Sequence, residues 1–165
     1  MTWPLDWREV AVFDANAAAL GVEVSELMAA AGEALAEQAV SMAAEGEYLI
    51  LCGPGNNGGD GFAMALALAE YEIEVRLVTS HKEQNGEAAQ SFRARCEAAG
   101  TKVEVWSKDS EFGTPALLVD CLLGAGSGGK PRGQVAKILE WARKANPDLV
   151  LACDIPTGIG TKFLL

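Results

Sequence analysis

The sequence has little that would support a thiolate–metal, nucleic-acid or membrane function. Its 165 residues include one histidine and four cysteines, and no two cysteines form a CxxC pair, so a zinc-binding set cannot be assembled. Thirteen basic residues against 23 acidic ones give a net charge of −10. That balance argues against duplex nucleic acid and an anionic membrane surface as partners, because both bind a basic face. No apolar run approaches the roughly 18 residues that would span a membrane.

Targeting signals are also lacking at the N-terminus. The opening MTWPLDWREVAVFDAN has acids where a secretory signal has a basic n-region and where a transit peptide is rich in arginine. We therefore predict a cytoplasmic protein. Cys52, Cys121 and Cys153 end apolar runs, and we expect them to be small, buried and reduced. His81 is expected in a solvated loop.

Length and composition predict one globular domain over residues 1–165. Half of the residues are hydrophobic and 22% are charged, which is ordinary for a folded protein. Residues 6–44 are predicted to form an N-terminal helical extension of two helices. The first is amphipathic over 6–20, with Phe13 and Leu20 on one side. The second runs from Glu26 to Ala44 with Ser25 as its N-cap. Its single glycine, Gly32, predicts a close packing contact.

Residues 47–165 alternate between short apolar strands and helices. The predicted strands are Tyr48–Cys52, Glu74–Thr79, Lys102–Trp106, Ala116–Leu122 and Leu149–Cys153, and the predicted helices are Gly61–Glu70, Gly86–Ala99 and Gln134–Ala145. Such alternation is typical of βαβ units and a parallel sheet, and the nearly unbroken apolar strands favour a sheet covered on both faces. Ligands of open parallel sheets bind at the carboxyl ends of the strands.

The first strand is followed by an unusual loop, GPGNNGGDG, over Gly53–Gly61. It contains G-x-G-x-x-G between a strand and a helix, where free amides would face an anion. We expect Gly58 to let a ligand's phosphates approach the backbone, so a valine there should block binding at modest cost to stability. Asn56, Asn57 and Asp60 add oxygen acceptors, which suit a hard cation. The alternative is a tight Gly/Asn turn without a ligand.

A second loop, VDCLLGAGSGGKPRG, covers residues 119–133. Asp120 is a carboxylate within an apolar strand, where an unpaired charge would be costly. It either pairs with Arg132 or ligates a cation or a substrate. The glycine-rich stretch Gly124–Gly129 offers further amides, and Lys130 adds positive charge.

The third loop, CDIPTGIG, follows the last predicted strand. Asp154 again ends an apolar run, and Thr157 presents a hydroxyl. The alternative function for either residue is to cap a following helix. The second strand ends in Thr79 and Ser80, where an NAD-linked dehydrogenase would have a ribose-binding acid. That difference argues against an ordinary NAD-linked oxidoreductase.

Together these motifs resemble the YjeF N-terminal domain family, whose enzymatic members are the NAD(P)HX epimerases. GPGNNGGDG, VD-x-x-x-G-x-G and DIPTG occur in the family's order, each at the end of a predicted strand. The leader is similar too, with Asp14, Leu27-Met28 and Ala31-Gly32 in positions like those of the family. The resemblance extends from about Val10 to Gly158.

The resemblance implies a Rossmann-like three-layer αβα sandwich with a mainly parallel sheet. It implies an isomerase that interconverts the R and S forms of hydrated NADH or NADPH, a damaged cofactor with a hydroxyl at C6 of the nicotinamide ring. A separate dehydratase would then repair the S form. It also implies one K⁺ ion per subunit and a homodimer. The implied substrate-binding residues are Asn56, Asn57, Gly58, Gly59, Asp60, Gly124, Ala125, Gly126, Ser127, Gly128, Gly129, Lys130 and Asp154, and the implied K⁺ ligands are Asn57, Asp120 and Thr157.

The chain departs from the family pattern at several positions. Ala29 and Ala30 stand where the family has glutamate and often asparagine, and Thr157 replaces the usual serine. Family domains continue for several strands after the third motif, so we expect the last strands to be missing from a chain that ends at Leu165. These departures favour the alternative of a non-catalytic nucleotide-binding or interaction scaffold, which the presence of all three motif aspartates opposes.

Epimerisation at C6 requires either that the C–O bond breaks and reforms on the opposite face or that the ring opens and closes. Either route needs a proton donor near the hydroxyl and a group that offsets the developing charge. A carboxyl group beside an apolar ring can have a raised pKa and act first as acid and then as base. Asp154 is the predicted catalytic residue and Asp60 the second candidate. Asp120 is less suited to proton transfer if it holds a cation, since a metal-bound carboxylate stays ionised.

Overall fold

The structure, a computed structural model, describes residues 7–42, 46–111 and 113–159. Five helices and five strands alternate along this part of the chain. In chain order they are α1 (Trp7–Ala19), α2 (Val24–Met42), β1 (Tyr48–Cys52), α3 (Asn56–Ala69), β2 (Val75–Thr79), α4 (Glu87–Ala98), β3 (Val103–Val105), β4 (Leu117–Cys121), α5 (Gly133–Ala145) and β5 (Val150–Ala152). Every predicted strand and helix is confirmed, mostly to within two residues. Residue 6 and residues 43–44 of the predicted helices, and residues 160–165, lie outside the described residues.

The five strands form one sheet in the order β3-β2-β1-β4-β5, and every pair is parallel. β1 and β4 are neighbours although two other strands separate them in the chain. Strand order therefore reverses between them, and the carboxyl ends of β1 and β4 diverge into a crevice. This is the switch point at which open α/β sheets bind ligands.

Helices cover both faces of the sheet, which confirms the three-layer αβα prediction. Alternate residues of β1 explain why: Ile50 faces a core that α2, α3 and α4 complete, and Leu51 faces a second core completed by α5. All five residues of β1 and of β4 are buried. The near-continuous apolar runs of these strands are thus the signature of a sheet with two covered faces.

The N-terminal helix α2 packs directly across α3. A Cβ added to Gly32 would lie 2.5 Å from Ala63 Cβ and 2.6 Å from Met64 N. Only glycine allows the two helix backbones to approach this closely. The close contact that Gly32 predicted is confirmed, and it fixes α2 against the helix that carries the first motif.

Two predicted helix starts are wrong. The helix α2 begins at Val24, so Ser25 lies inside its first turn and the N-cap position falls on Glu23. The Glu23 amide donates to Glu26 Oε2 at 3.0 Å, which supplies half of a capping box without serine. The helix α3 begins at Asn56, five residues before the predicted Gly61. Glycines that looked like loop residues in the sequence occupy the first turns of this helix because they pack closely against neighbouring backbone.

The helix α1 leaves much of its apolar surface exposed. Phe13 is 55% exposed and Leu20, just beyond the helix, is 84% exposed. The predicted apolar side of this segment is therefore not buried against the rest of the described chain. His81 is exposed as predicted, and all four cysteines are buried and free. No helix within the described ranges is long and apolar enough to cross a membrane.

Candidate active site at the carboxyl edge of the sheet

All three motif loops meet at the crevice between β1 and β4. The helix α3 starts there from Gly55, which caps it without any side-chain hydrogen bond. The first intrahelical bond of this end runs from Gly59 N to Gly55 O at 3.1 Å. The amides of the preceding helical residues, including Asn57, therefore have no intrahelical carbonyl partner. With the positive end of the helix dipole, they make this end suited to an anion.

The glycines of the first motif divide into two groups. A Cβ at Gly58 would collide with the carbonyl oxygen of Gly53, and a Cβ at Gly53 would collide with that of Leu122. These two glycines allow the motif to fold against itself and against Leu122, just beyond β4. The expectation that Gly58→Val would spare stability is therefore wrong. Gly59 faces Met28 of α2, whose Cε would lie 2.5 Å from an added Cβ. A Cβ at Gly55, in contrast, would meet no atom within 4 Å.

Asp120 is bound by the third motif. Thr157 N donates to its Oδ2 at 2.8 Å, Thr157 Oγ1 donates to its Oδ1 at 2.7 Å, and Leu122 N donates to Oδ1 at 3.2 Å. The carboxylate is only 7% exposed. Three charge-assisted hydrogen bonds compensate the cost of burying it. The alternative pairing with Arg132 is therefore wrong: that residue is exposed at the start of α5.

Thr157 is the centre of this network. Its hydroxyl also accepts a hydrogen bond from Leu123 N at 3.0 Å, so one buried side chain joins the second and third motifs. No helix begins among residues 154–159, which removes the helix-cap alternative for Asp154 and Thr157 within the described chain. Leu123 was not singled out by its sequence, since its contribution is a backbone amide.

Gly124 marks the point where the three loops come closest. A Cβ at Gly124 would lie 2.5 Å from Asp154 Oδ2 and 3.1 Å from Asn57 Oδ1. The Asp154 carboxylate accepts a hydrogen bond from Ala125 N at 2.6 Å. Its backbone has φ +64°, in the left-handed region that non-glycine residues seldom adopt. Such strain is typical of functional sites and turns Asp154, which is exposed, towards the second motif.

Asp60 is the half-buried carboxyl group of the cleft. The pKa of Asp60 is raised from 3.8 to about 7, mainly by burial. The hydrogen bond from Cys153 lowers it, and the negative charges of Asp154 and Asp14 contribute to the rise. A carboxyl group with this pKa exists in both protonation states near neutral pH. From the sequence, Asp154 is the first candidate for such a carboxyl group and Asp60 the second. The contribution of Asp14, on α1, could not be read from the sequence because it depends on where α1 packs.

The remaining predicted residues form the rim. Asn56 is exposed at the first position of α3, and Ser127 N donates to Gly124 O at 3.0 Å, which closes a turn. The outer part of the second motif is exposed and open, and added Cβ atoms at Gly126, Gly128 and Gly129 would meet nothing within 4 Å. Lys130 is exposed beyond them. The structure thus places these residues around the crevice without close packing contacts.

Two surface clefts lie apart from this crevice. One, of about 430 Å³, lies at the far end of α3 and is lined by Glu33, Glu70 and Tyr71. The other, of about 330 Å³, lies between α5 and strands β4 and β5, and its lining includes Asp120. Neither contains Asn57, Asp60 or Asp154, so the case for the crevice depends on its convergent polar groups rather than on volume.

These features define a class: a Rossmann-like α/β protein with an oxygen-rich crevice at the switch point of its sheet. The family model for the YjeF-related protein N-terminus matches residues 24–163. The chain therefore belongs to the YjeF-related protein N-terminus family. It contains the helical leader α2 and all three motif loops within the matched range.

The chain is also similar in sequence to individual curated proteins. The chain is 43% identical over 138 residues to the NAD(P)H-hydrate epimerase of Rhodopirellula baltica, covering 81% of this chain and 56% of the relative. It is 36% identical over 146 residues to the bifunctional NAD(P)H-hydrate repair enzyme Nnr of Escherichia coli, covering 85% of this chain and 27% of that protein. The chain thus spans about half of the first relative's length and about a quarter of the second's.

A solved structure shows the same fold. The crystal structure of yeast ynu0 superposes with a TM-score of 0.80 at 18% sequence identity, covering 94% of this chain and 71% of the yeast chain. At this identity the similarity concerns the fold alone. It confirms the Rossmann-like arrangement predicted from the resemblance.

Proposed function

We propose that the chain catalyses epimerisation of the R and S forms of hydrated NADH or NADPH, and so takes part in repair of nicotinamide cofactors. The main structural support for this proposal is the convergence of the three loops at Gly124, where Asp154 and Asn57 lie within contact distance of the second motif. The family and the names of the relatives from R. baltica and E. coli support the same activity. The open amides at the start of α3 suit the pyrophosphate of such a substrate.

The reaction follows from the substrate's chemistry. The C6–O bond breaks heterolytically, the oxygen leaves with the electron pair and takes up a proton to become water, and the ring keeps a positive charge. Water then adds to the opposite face of C6 and returns a proton. The site must therefore provide an acid that becomes a base, and a negative charge near the ring.

Asp60 and Asp154 fit these two roles. Asp60, whose pKa burial raises to about 7, exists partly as an acid at neutral pH and can exchange the proton. Asp154, fixed by Ala125 N at 2.6 Å, directs a carboxylate into the crevice and would offset the ring's charge. Sequence reasoning predicted Asp154 for the proton transfer, and that assignment stays a prediction. Asp60 is the stronger candidate for the acid because it is more buried than Asp154.

A K⁺ ion would be held by three of the predicted residues. The implied ligands Asn57, Asp120 and Thr157 offer oxygen atoms from three separate segments, which suits a hard cation. Asn57 Nδ2 is buried without a hydrogen-bond partner, and turning the amide would place Oδ1 there, where a cation could satisfy it. The bound ion would supply positive charge that orders the substrate's oxygens. Asp120 and Thr157 would then be binding residues and not proton donors.

The proposal extends to the substrate contacts and partners that the resemblance implies. Residues 56–60 and 124–130 would bind the dinucleotide, and the exposed Lys130 would meet one of its phosphates. A separate dehydratase would consume the S form. The protein would act in the cytoplasm and as a homodimer, for which the exposed apolar side chains of α1, such as Phe13, provide surface.

A coupled assay tests the proposal. R-NADHX is incubated with the chain and an excess of a dehydratase that accepts only the S form, and recovery of NADH is followed at 340 nm, a wavelength at which NADH absorbs. We expect recovery well above the spontaneous rate. Asp60→Asn and Asp154→Asn should each slow it by roughly 10²–10⁴-fold if the residue transfers the proton. Recovery at the spontaneous rate with folded wild-type chain would instead favour a non-catalytic scaffold.

A further inference from the structure

Three buried cysteines lie side by side beneath the first turns of α3. Cys52 and Cys121 are register partners in β1 and β4. Cys153 follows β5 directly, one residue beyond the pairing of Ala152 with Asp120. The three thiols therefore end three neighbouring parallel strands at the edge of the sheet that carries the crevice. We call these three residues the thiol row.

The helix α3 packs directly onto the thiol row. A Cβ at Gly61 would lie 2.9 Å from Cys52 Sγ and 3.0 Å from Cys121 Cβ, so no side chain separates the helix backbone from the first two thiols. The preceding residue, Asp60, lies beside the third. Cys153 Sγ is 3.8 Å from Asp60 Oδ2, within reach of a hydrogen bond that involves sulfur.

The direction of this hydrogen bond follows from the chemistry of its two groups. An ionised carboxylate has no proton to donate, so the S–H of Cys153 is the donor and Oδ2 of Asp60 is the acceptor. The bond accordingly lowers the pKa of Asp60, against the larger effect of burial.

We propose that Cys153 is a positioning residue for the proposed epimerisation, because its S–H holds Oδ2 of Asp60 and leaves Oδ1 as the oxygen that meets the substrate. This inference rests on the proposed function for its catalytic consequence, and on the thiol row for its geometry. Sequence alone pointed only to a small buried cysteine at this position.

The other groups around Asp60 cannot substitute for Cys153. Asp154 and Asp14 face Asp60 with negative charge, from the loop after β5 and from α1, and repel its ionised form. Cys52, below Gly61 on β1, is fully buried, and burial raises its pKa. Within the described ranges, Cys153 is the side chain that donates a hydrogen bond to this carboxyl group.

The experiment compares Cys153→Ala, Cys153→Ser and the matched control Cys52→Ala, which removes an equally buried thiol that does not bond Asp60. The pKa of Asp60 is measured in the isolated chain by NMR from the pH dependence of its side-chain carboxyl ¹³C shift, assigned with Asp60→Asn. Removing a donor to the ionised form should raise this pKa by about 0.5–1 in Cys153→Ala. Cys153→Ser, which keeps a donor, and Cys52→Ala should both stay within about 0.3 of wild type.

Kinetics give a second readout. In the coupled assay, Cys153→Ala should lower kcat by roughly two- to tenfold with KM almost unchanged, as expected for one weak hydrogen bond to the acid. An equal effect in Cys52→Ala, or an unchanged Asp60 titration in Cys153→Ala, would overturn the inference. If Cys153→Ala does not fold, Cys153→Ser decides, since a shift as large as that expected for loss of the donor would contradict the proposal. A wild-type chain without epimerase activity would refute the proposed function alone, because the NMR result stands independently.

Discussion

Replacing Thr157 by valine tests the network that joins the second and third motifs. Valine has nearly the shape of threonine but has no hydroxyl, so the buried Asp120 loses its 2.7 Å hydrogen bond and Leu123 N loses its 3.0 Å acceptor. A hydrogen bond to a charged group contributes about 1.5–3 kcal/mol, and an unsatisfied buried amide adds to the loss. We expect the free energy of unfolding to fall by roughly 2–4 kcal/mol, which in a chain of this length corresponds to roughly 5–12 °C in Tm.

The assay is urea unfolding followed by circular dichroism, with Thr157→Ser as the matched control. Serine keeps the hydroxyl and loses one methyl group, so it should cost only about 1 kcal/mol. The melting temperature is also compared in potassium chloride and in tetramethylammonium chloride at equal ionic strength. Wild type and Thr157→Ser should melt higher in potassium, and Thr157→Val should lose that difference. Equal stability of Thr157→Val and Thr157→Ser would refute the assigned role of the hydroxyl.

Three further predictions concern the crevice and the fold. Because the pKa of Asp60 is raised to about 7 in the folded state, this residue's contribution to the free energy of unfolding is fully present below about pH 4 and is lost as the pH rises towards 7. Relative to wild type, the free energy of unfolding of Asp60→Asn should therefore rise by up to about 4 kcal/mol between pH 4 and 8 in urea titrations. A difference that does not change with pH would contradict this. Gly126→Val should leave the free energy of unfolding unchanged and weaken dinucleotide binding, measured by calorimetry, by at least about tenfold. Gly58→Ala, in contrast, should lower the free energy of unfolding by at least about 2 kcal/mol. Gly32→Val should separate α2 from α3 and lower Tm by at least about 5 °C, and an unchanged Tm would mean that the two helices are not in contact.

The sequence predicted the order of elements because the sheet is buried on both faces. Runs such as Tyr48–Cys52 and Leu117–Cys121 are almost wholly apolar, and glycine-rich segments separate them from helices of ordinary composition. What the pattern could not give is where α3 begins. Composition favours a loop for NNGGDG, but the close approach of Gly58 to Gly53 and of Gly59 to Met28 stabilises helical geometry there.

The site was predictable as far as the strand ends determine it. Asp120, Asp154 and Thr157 follow or end apolar strands, and parallel strands bring their carboxyl ends together, so their convergence could be expected. The differences in burial among the crevice residues could not be predicted from the sequence. Asp60 is half-buried because α3 lies over the thiol row, whereas Asp154 is exposed in a strained turn, and neither property is visible in the local sequence.

The most direct test of the proposed epimerase activity is the rate at which this chain interconverts the two epimers. Purified R-NADHX is incubated with the wild-type chain in potassium buffer, without any dehydratase, and the two epimers are separated by chromatography over time. We expect the wild-type chain to approach the R/S equilibrium mixture much faster than buffer alone, and the folded Asp60→Asn variant to do so at a rate close to that in buffer. Interconversion by folded wild-type chain at the buffer rate would contradict the assignment of this crevice as an epimerase active site.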